Sequence, residues 1–226
     1  MSDPFYKARL DMVENQIARR GLRNPRLLEA FRAVPRHCFI PLECQKNAYD
    51  DGPLPIGLNQ TISQPYIVAL MTSLLGLEGD ENVLEIGTGS GYQAAILSLL
   101  AKSVQTVERH PALAERAAKT LKDLGYANVI CRAADGSLGW PESAPYQGIL
   151  VTAAAPTPPP PLLDQLSDGS KLVIPVGGSY GQELQVWERN GSRFEPETII
   201  PVVFVPLRGV NGWSESDWND PTGFVF

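Results

Sequence analysis

Along the first 75 residues the apolar positions recur at helical spacing. From residue 82 they gather into short runs that alternate with helical stretches. Leu10, Val13 and Ile17 mark one face of a first helix, with Asp3 as cap, Pro4 in its first turn and Gly21 at its end. Asn24 caps a second helix, with Pro25 at its first position and Leu27, Leu28, Phe31 and Val34 inward until Pro35 stops it. Residues 36–65 are broken by Pro and Gly and read as an irregular connection. Pro65 then opens a helix that buries Ile67, Val68, Leu70, Met71, Leu74 and Leu75, and Gly76 and Gly79 close it.

Asn82–Ile86 reads as a strand, Tyr92–Leu100 as a buried helix and Ser103–Val107 as a second strand. Pro111–Leu124 follows as a helix with Leu113, Ala117, Leu121 and Leu124 inward. Asn128–Cys131, Tyr146–Val151 and Lys171–Val176 continue as strands, with a short helix at Pro161–Leu166. This alternation predicts an α/β fold: a doubly wound, mostly parallel sheet preceded by an N-terminal helical extension. Leu184–Glu188 and Thr198–Val205 follow without a long helix between them, which predicts an antiparallel C-terminal edge. A single domain is expected, with helices and a loop region at 1–65, the α/β core at 66–208 and a tail at 209–226. The tail lacks periodicity and carries Trp213, Trp218, Phe224 and Phe226, as a docked arm or a self-association element would.

A chain of 226 residues that is 43% hydrophobic can bury a core without disulfides or a structural metal, and is too apolar for disorder. No apolar run approaches the ~18 residues of a membrane helix, and the first residues lack a secretory signal pattern. The net charge of −6 argues against nucleic acid as main partner. It is uneven: residues 1–46 hold 9 basic and 5 acidic groups, read as a solvated helical face. Cys38, Cys44 and Cys131 form no metal spacing with His37 and His110, so no metal site is expected. They are expected to be reduced thiols of a cytoplasmic protein, a catalytic Cys–His pair at His37 and Cys38 being the sharper alternative.

The strongest local signal is Val83-Leu84-Glu85-Ile86-Gly87-Thr88-Gly89-Ser90-Gly91, a strand that feeds a glycine-rich turn opening a helix. Bare amide N–H groups there can face a ligand. Counted from Gly89, the glycines with Ala94 satisfy a dinucleotide fingerprint; counted from Gly87 they form Gly-x-Gly-x-Gly with Glu85 two residues before. Glu108 ends the next strand, where a carboxylate can accept from both hydroxyls of a ribose. Asp135-Gly136 follows the third, where a carboxylate can accept from an adenine amino group. Each acid alone has a bland reading, Glu108 as a solvated loop acid and Asp135 as a turn former. The glycine turn and these two acids stand at three consecutive strand ends, which favours a nucleoside ligand, and no triphosphate loop is present.

The run Glu85–Gly91 with Glu108 and Asp135 resembles the S-adenosylmethionine site of Rossmann-like methyltransferases. A second stretch, Pro55-Ile56-Gly57-Leu58-Asn59-Gln60-Thr61-Ile62-Ser63-Gln64-Pro65-Tyr66, resembles the substrate loop of protein-L-isoaspartate O-methyltransferases. Val34-Pro35-Arg36, Phe39-Ile40-Pro41, Gly139-Trp140-Pro141, Val151–Pro156 and Leu172–Gly177 agree, so the resemblance runs in order over about residues 6–208. It implies a cofactor, S-adenosyl-L-methionine, held by Glu85, Gly87, Thr88, Gly89, Gly91, Glu108, Asp135 and Gly136. It implies methylation of the free α-carboxylate of isoaspartyl residues in damaged proteins and peptides, as the first step of repair through a succinimide. Ser63 would be the catalytic residue, orienting the carboxylate, and Thr61, Ile62 and Tyr66 would contact substrate. The family often has Thr at the position of Arg208.

A carboxylate with a pKa near ~4 is ionised at pH 7, so its methylation needs no general base. Joining an anion and a cation is helped by a dry pocket and by positioning, and a strong cationic clamp on the reacting carboxylate would hold the ground state back. Ser63 also suits a helix cap before Pro65, and the prolines at 158–161 a rigid lip over the site. Trp140 reads as loop or core packing. Three alternatives stay open: another carboxyl or small-molecule methyltransferase, a nicotinamide-dependent oxidoreductase, and a catalytically silent nucleoside-binding module.

Overall fold

The protein is described from a computed structural model covering residues 3–218. The first helix, α1 (Tyr6–Met12), continues through a π-helical turn (Val13–Ile17) and a 3-10 turn (Ala18–Arg20) to Gly21. The wider turn rotates the inward stripe, so Arg9, Met12, Val13 and Ile17 are buried while Leu10 is half-buried. Asp3 accepts from the Phe5 N–H at 2.9 Å, but the cap position itself belongs to Phe5. In α2 (Pro25–Ala33) the expected cap holds: Asn24 Oδ1 accepts from the N–H groups of Arg26 and Leu27.

The segment expected to be irregular contains a hairpin, β1 (Leu54–Gly57) with β2 (Gln60–Ile62), closed by Leu58 and Asn59 with φ of +53° and +55°. After α3 (Pro65–Leu75) come β3 (Asn82–Ile86), α4 (Tyr92–Ser98), β4 (Ser103–Glu108), α5 (Pro111–Asp123), β5 (Val129–Ala133) and β6 (Tyr146–Val151). The chain ends with α6 (Pro160–Asp164), β7 (Leu166–Gly178), β8 (Gly181–Asn190) and β9 (Arg193–Val202). The seven strands run in the order β5-β4-β3-β6-β7-β8-β9, parallel through β7 and antiparallel at β8 and β9.

Alternation along the parallel strands divides the core. Val83, Val104, Leu150 and Val173 pack with α1–α4, whereas Leu84, Ile86, Val107, Ile149, Val151 and Leu172 face Tyr146, Leu162 and Leu207 on the other side. The last strand lies upstream of its predicted range, since its first half (Arg193–Glu197), apart from the half-buried Phe194, is exposed and lacks an apolar run at the sheet edge. Pro196 and Pro201 blunt that edge. Beyond it the chain leaves the sheet, and the Ala154 N–H donates to the carbonyl of Val205. Trp213 and Trp218 meet edge to face with centroids 5.7 Å apart; Phe224 and Phe226 lie outside the described residues. Among the described residues no helix is long and apolar enough to cross a membrane.

Candidate functional site

Strand order reverses beside β3, because β4 lies on one side and β6 on the other. Chain connections leave that point in opposite directions, which opens a crevice at the carboxyl ends of the strands. A cleft occupies it, lined by Ile86, Gly87 and Gly89 after β3, Val107–Arg109 at the end of β4, Gly136 after β5, and Thr152 and Ala153 after β6. Gln60 and Thr61 of the hairpin and Val205–Arg208 of the C-terminal segment complete it.

The glycine turn differs from its expected form in one respect. Its amides are not bare: Gly87 and Thr88 N–H donate to the carbonyl of Val107, Gly89 N–H to Glu108 Oε2 and Gly91 N–H to the carbonyl of Thr88. A diphosphate needs several free N–H groups, so this turn suits a ligand without one. Its glycines answer crowding. A Cβ on Gly87 would come 2.3 Å from Thr152 Oγ1, which donates to the carbonyls of Ile86 and Gly87. Gly91, at φ +88°, faces Ala117 and Leu121 of α5 and serves packing; it does not line the cleft. Thr152 was not singled out from the sequence, although its place at the end of β6 repeats that of Glu108 at the end of β4.

Glu108 lines the cleft and is nearly buried. Its Oε2 accepts from Gly89 N–H and its Oε1 from His110 N–H, both at 2.9 Å. Each oxygen keeps a second lone pair, which matches the two hydroxyls of a ribose. Asp135 stands beside the cleft lining: Oδ1 accepts from the N–H and Oγ of Ser137, and Oδ2 from Val210 N–H at 2.8 Å. Gly136 is the member of that pair that reaches the cleft.

Glu85 lies wholly buried beneath the turn. Its Oε2 accepts from Thr106 Oγ1 at 2.5 Å, Thr106 meets Thr88 Oγ1 at 2.6 Å, and among the described residues Glu85 Oε1 has no partner. Glu85 and Thr88 therefore support the turn from below and do not line the cleft. Burial pushes the Glu85 carboxyl up to about 8, with the Thr106 hydrogen bond opposing and the charge of Glu108 adding. Between the usual value of 4.5 and about 8, the folded chain holds a proton that the unfolded chain has lost. Stability therefore falls as pH rises through that window. In Glu85→Gln, neutral throughout, this component disappears, so melting followed from about pH 5 to about 9 should be flatter by up to roughly 1 kcal/mol per pH unit. Parallel curves for parent and variant would contradict the assignment.

The hairpin is tied down at both ends. Arg116 of α5 donates to the carbonyl of Ile56 at 2.5 Å, and the fully buried Ile56 side chain sits over Gly89. At the other end Arg36, fully buried, donates from Nε to the carbonyl of Ala48 and from Nη2 to that of Ser63, both at 2.8 Å. Its guanidinium lies 4.9 Å from the centroid of the Tyr92 ring. Thr61 and Gln60 reach the cleft. Ile62 is buried, Ser63 and Tyr66 are half-buried, and none of the three lines the cleft. Arg20 stacks over the Tyr66 ring at 3.4 Å.

Ser63 does not cap α3; the cap position is Gln64, without a side-chain bond. Nor do the prolines at 158–161 form a lip: they lead into α6, whose Leu162 is buried in the core. Trp140 packs against Arg132 in its loop. The Cys–His alternative meets unfavourable chemistry, since His37 stacks on Phe5 and bonds the Tyr49 hydroxyl while burial pushes the Cys38 thiol up. Burial likewise pushes Cys131 up to about 12. Among the described residues no three His, Cys, Asp or Glu side chains gather as a metal would require.

The pattern of the family described as protein-L-isoaspartate(D-aspartate) O-methyltransferase matches residues 7–212. A protein-L-isoaspartate O-methyltransferase of Syntrophobacter fumaroxidans is 54% identical over 209 residues, 92% of this chain and 98% of that protein. A solved protein-L-isoaspartate O-methyltransferase structure superposes with a TM-score of 0.82 at 27% identity, covering 92% of this chain and 67% of that one. A Plasmodium falciparum structure in complex with S-adenosyl-L-homocysteine, assigned to the same enzyme class, gives 0.78 at 23% identity over 88% of this chain and 98% of that one, a likeness of fold. With the family pattern running through nearly its whole length and more than half of the aligned residues shared with a relative of that name, the chain belongs to the protein-L-isoaspartate O-methyltransferase family.

Proposed function

We propose that this chain transfers a methyl group from S-adenosyl-L-methionine to the free α-carboxylate of L-isoaspartyl residues in damaged proteins and peptides. The ester then closes to a succinimide, whose hydrolysis partly restores the aspartyl link. The observation that carries the proposal is the meeting of Gln60 and Thr61 with Gly87, Gly89, Glu108, Gly136 and Thr152 around one cleft. When bound, S-adenosyl-L-methionine supplies an electrophilic sulfonium methyl group. The carboxylate of Glu108 holds the ribose hydroxyls, Gly87 and Gly89 let the ligand approach the backbone, and Asp135-Gly136 flanks the adenine.

The substrate carboxylate is ionised at pH 7, so positioning is the main task. Among the described residues the cleft lining holds no His, Lys or Cys, and its one carboxylate, Glu108, has one lone pair on each oxygen taken by the Gly89 and His110 amides and the other turned to the ribose. Ser63 orients the carboxylate through its hydroxyl or adjoining backbone, fixed by Arg36, while Thr61, Ile62 and Tyr66 flank the peptide. Among the described residues the Ser63 hydroxyl has no protein partner, which leaves it free to donate. Ser63→Ala should lower turnover about tenfold, the low end of the worth of a hydrogen bond to a charged group, with S-adenosyl-L-homocysteine affinity unchanged by calorimetry. Equal losses in both would remove Ser63 from the substrate side. The three unpaired thiols fit a cytoplasmic setting.

The test of the activity uses methyl-labelled cofactor and paired peptides that differ only in an aspartyl or isoaspartyl linkage. Label on the isoaspartyl member alone is expected. Label on both, or on neither, would overturn the proposal.

A further inference from the structure

Among the described residues the cleft carries three charged side chains, Glu108, Arg109 and Arg208, and Glu108 is assigned to two backbone amides and the ribose. The two arginines share one external anion. Glu215 places Oε1 3.3 Å from Arg109 Nη2 and Oε2 3.8 Å from Arg208 Nη2. The two sides of this contact are unequal. The Arg208 side chain is 14% exposed, and its Nη1 donates to the carbonyls of Trp213 and Ser214. The turn that carries those carbonyls is itself fixed, by Trp213 N–H donating to the Leu207 carbonyl and Asn211 N–H to Ser137 Oγ. Glu215 is 77% exposed, and among the described residues it is held only by ion pairs that water and salt weaken. A fixed cation facing a loosely held carboxylate is a receptor with an exchangeable occupant.

The reacting carboxylate is a poor candidate for that place, because two guanidinium groups would stabilise it more before methyl transfer than during it. A carboxylate that does not react has no such conflict. Resting on the isoaspartyl reading above, we infer that Arg208 and Arg109 select substrates bearing an acidic side chain beside the damaged residue, and that this side chain displaces Glu215. Rim charges of this kind act on recognition and not on the chemical step, so the preference belongs to binding and KM and fades as ionic strength rises.

The test compares two isoaspartyl peptides that differ only by Glu or Gln next to the isoaspartyl position. Binding is followed by fluorescence anisotropy with S-adenosyl-L-homocysteine present, and methyl transfer is followed separately. The parent should bind the Glu peptide about three- to tenfold more tightly, with the gap in KM and little change in kcat. Arg208→Gln and, independently, the more exposed Arg109→Gln should each narrow the gap, and Glu215→Gln should tighten the Glu peptide by about threefold. Equal binding of the two peptides by the parent, or a gap that survives both arginine variants, overturns the inference and leaves the methyl-transfer reading standing. Weakened S-adenosyl-L-homocysteine binding in the arginine variants with an unchanged peptide gap would assign the pair to the cofactor's carboxylate, which also overturns it. Failure to label either peptide removes the methyl-transfer reading, and the binding gap still decides this one.

Discussion

Replacing Arg36 by methionine should lower turnover about a hundredfold, leave S-adenosyl-L-homocysteine affinity within about twofold, and reduce the melting temperature by several degrees. Arg36 is the buried rivet between the 3-10 turn that contains it and the end of the hairpin, through the carbonyls of Ala48 and Ser63. Burial lowers its guanidinium to about 10, so it stays charged at pH 7 although among the described residues no carboxylate is bonded to it. Methionine fills similar space without donors. The buried Ala48 carbonyl and the part-buried Ser63 carbonyl then lose their partners, at about 1–3 kcal/mol for the first and less for the second, partly offset by removal of a buried cation. A net loss of about 2 kcal/mol corresponds to roughly 4–8 °C for a domain of this size. The catalytic loss has a different origin: a shift near 1 Å in the Ser63 segment suffices for a hundredfold drop. Arg36→Lys, able to serve one carbonyl, should recover part of the rate. A variant with lowered melting temperature and full turnover would show that Arg36 has no positioning role.

The second large effect falls on the cofactor. Glu108→Gln should weaken S-adenosyl-L-homocysteine binding by about a hundredfold or more in a calorimetric titration, with peptide KM at saturating cofactor little changed. Glu108 accepts from Gly89 and His110 amides with one lone pair on each oxygen, and an amide can replace only one of its oxygens. The –NH₂ of glutamine would face either a backbone N–H or a ribose hydroxyl, and a charge-assisted bond is worth about 1.5–3 kcal/mol. An unchanged dissociation constant would detach Glu108 from the ribose.

Which of these features the sequence displays depends on how local their causes are. The bounds of β3 and β6, Asn82–Ile86 and Tyr146–Val151, coincide with those read from apolar runs, because buried parallel strands must be apolar on both faces. Glu108 was legible because the end of a strand at the sheet's switch point is set by the same local pattern. The hairpin was hidden: its strands are three and four residues long, and Leu58 adopts a left-handed conformation that leucine rarely takes. The partners of Asp135 were hidden too, since Val210 comes to it from 75 residues away. Arg36 reads as one more basic residue of a positive N-terminal stretch, and only burial distinguishes it. Glycines repeat one letter for different causes, with Gly87 close against Thr152 and Gly91 against α5.

A crystal structure of the chain with S-adenosyl-L-homocysteine tests the central claim most directly. The adenosine should lie across the ends of β3 and β4 with both ribose hydroxyls on the Glu108 carboxylate and the sulfur turned toward the Thr61–Ser63 segment. Density for the ligand anywhere else, or a sulfur turned away from that segment, would contradict it.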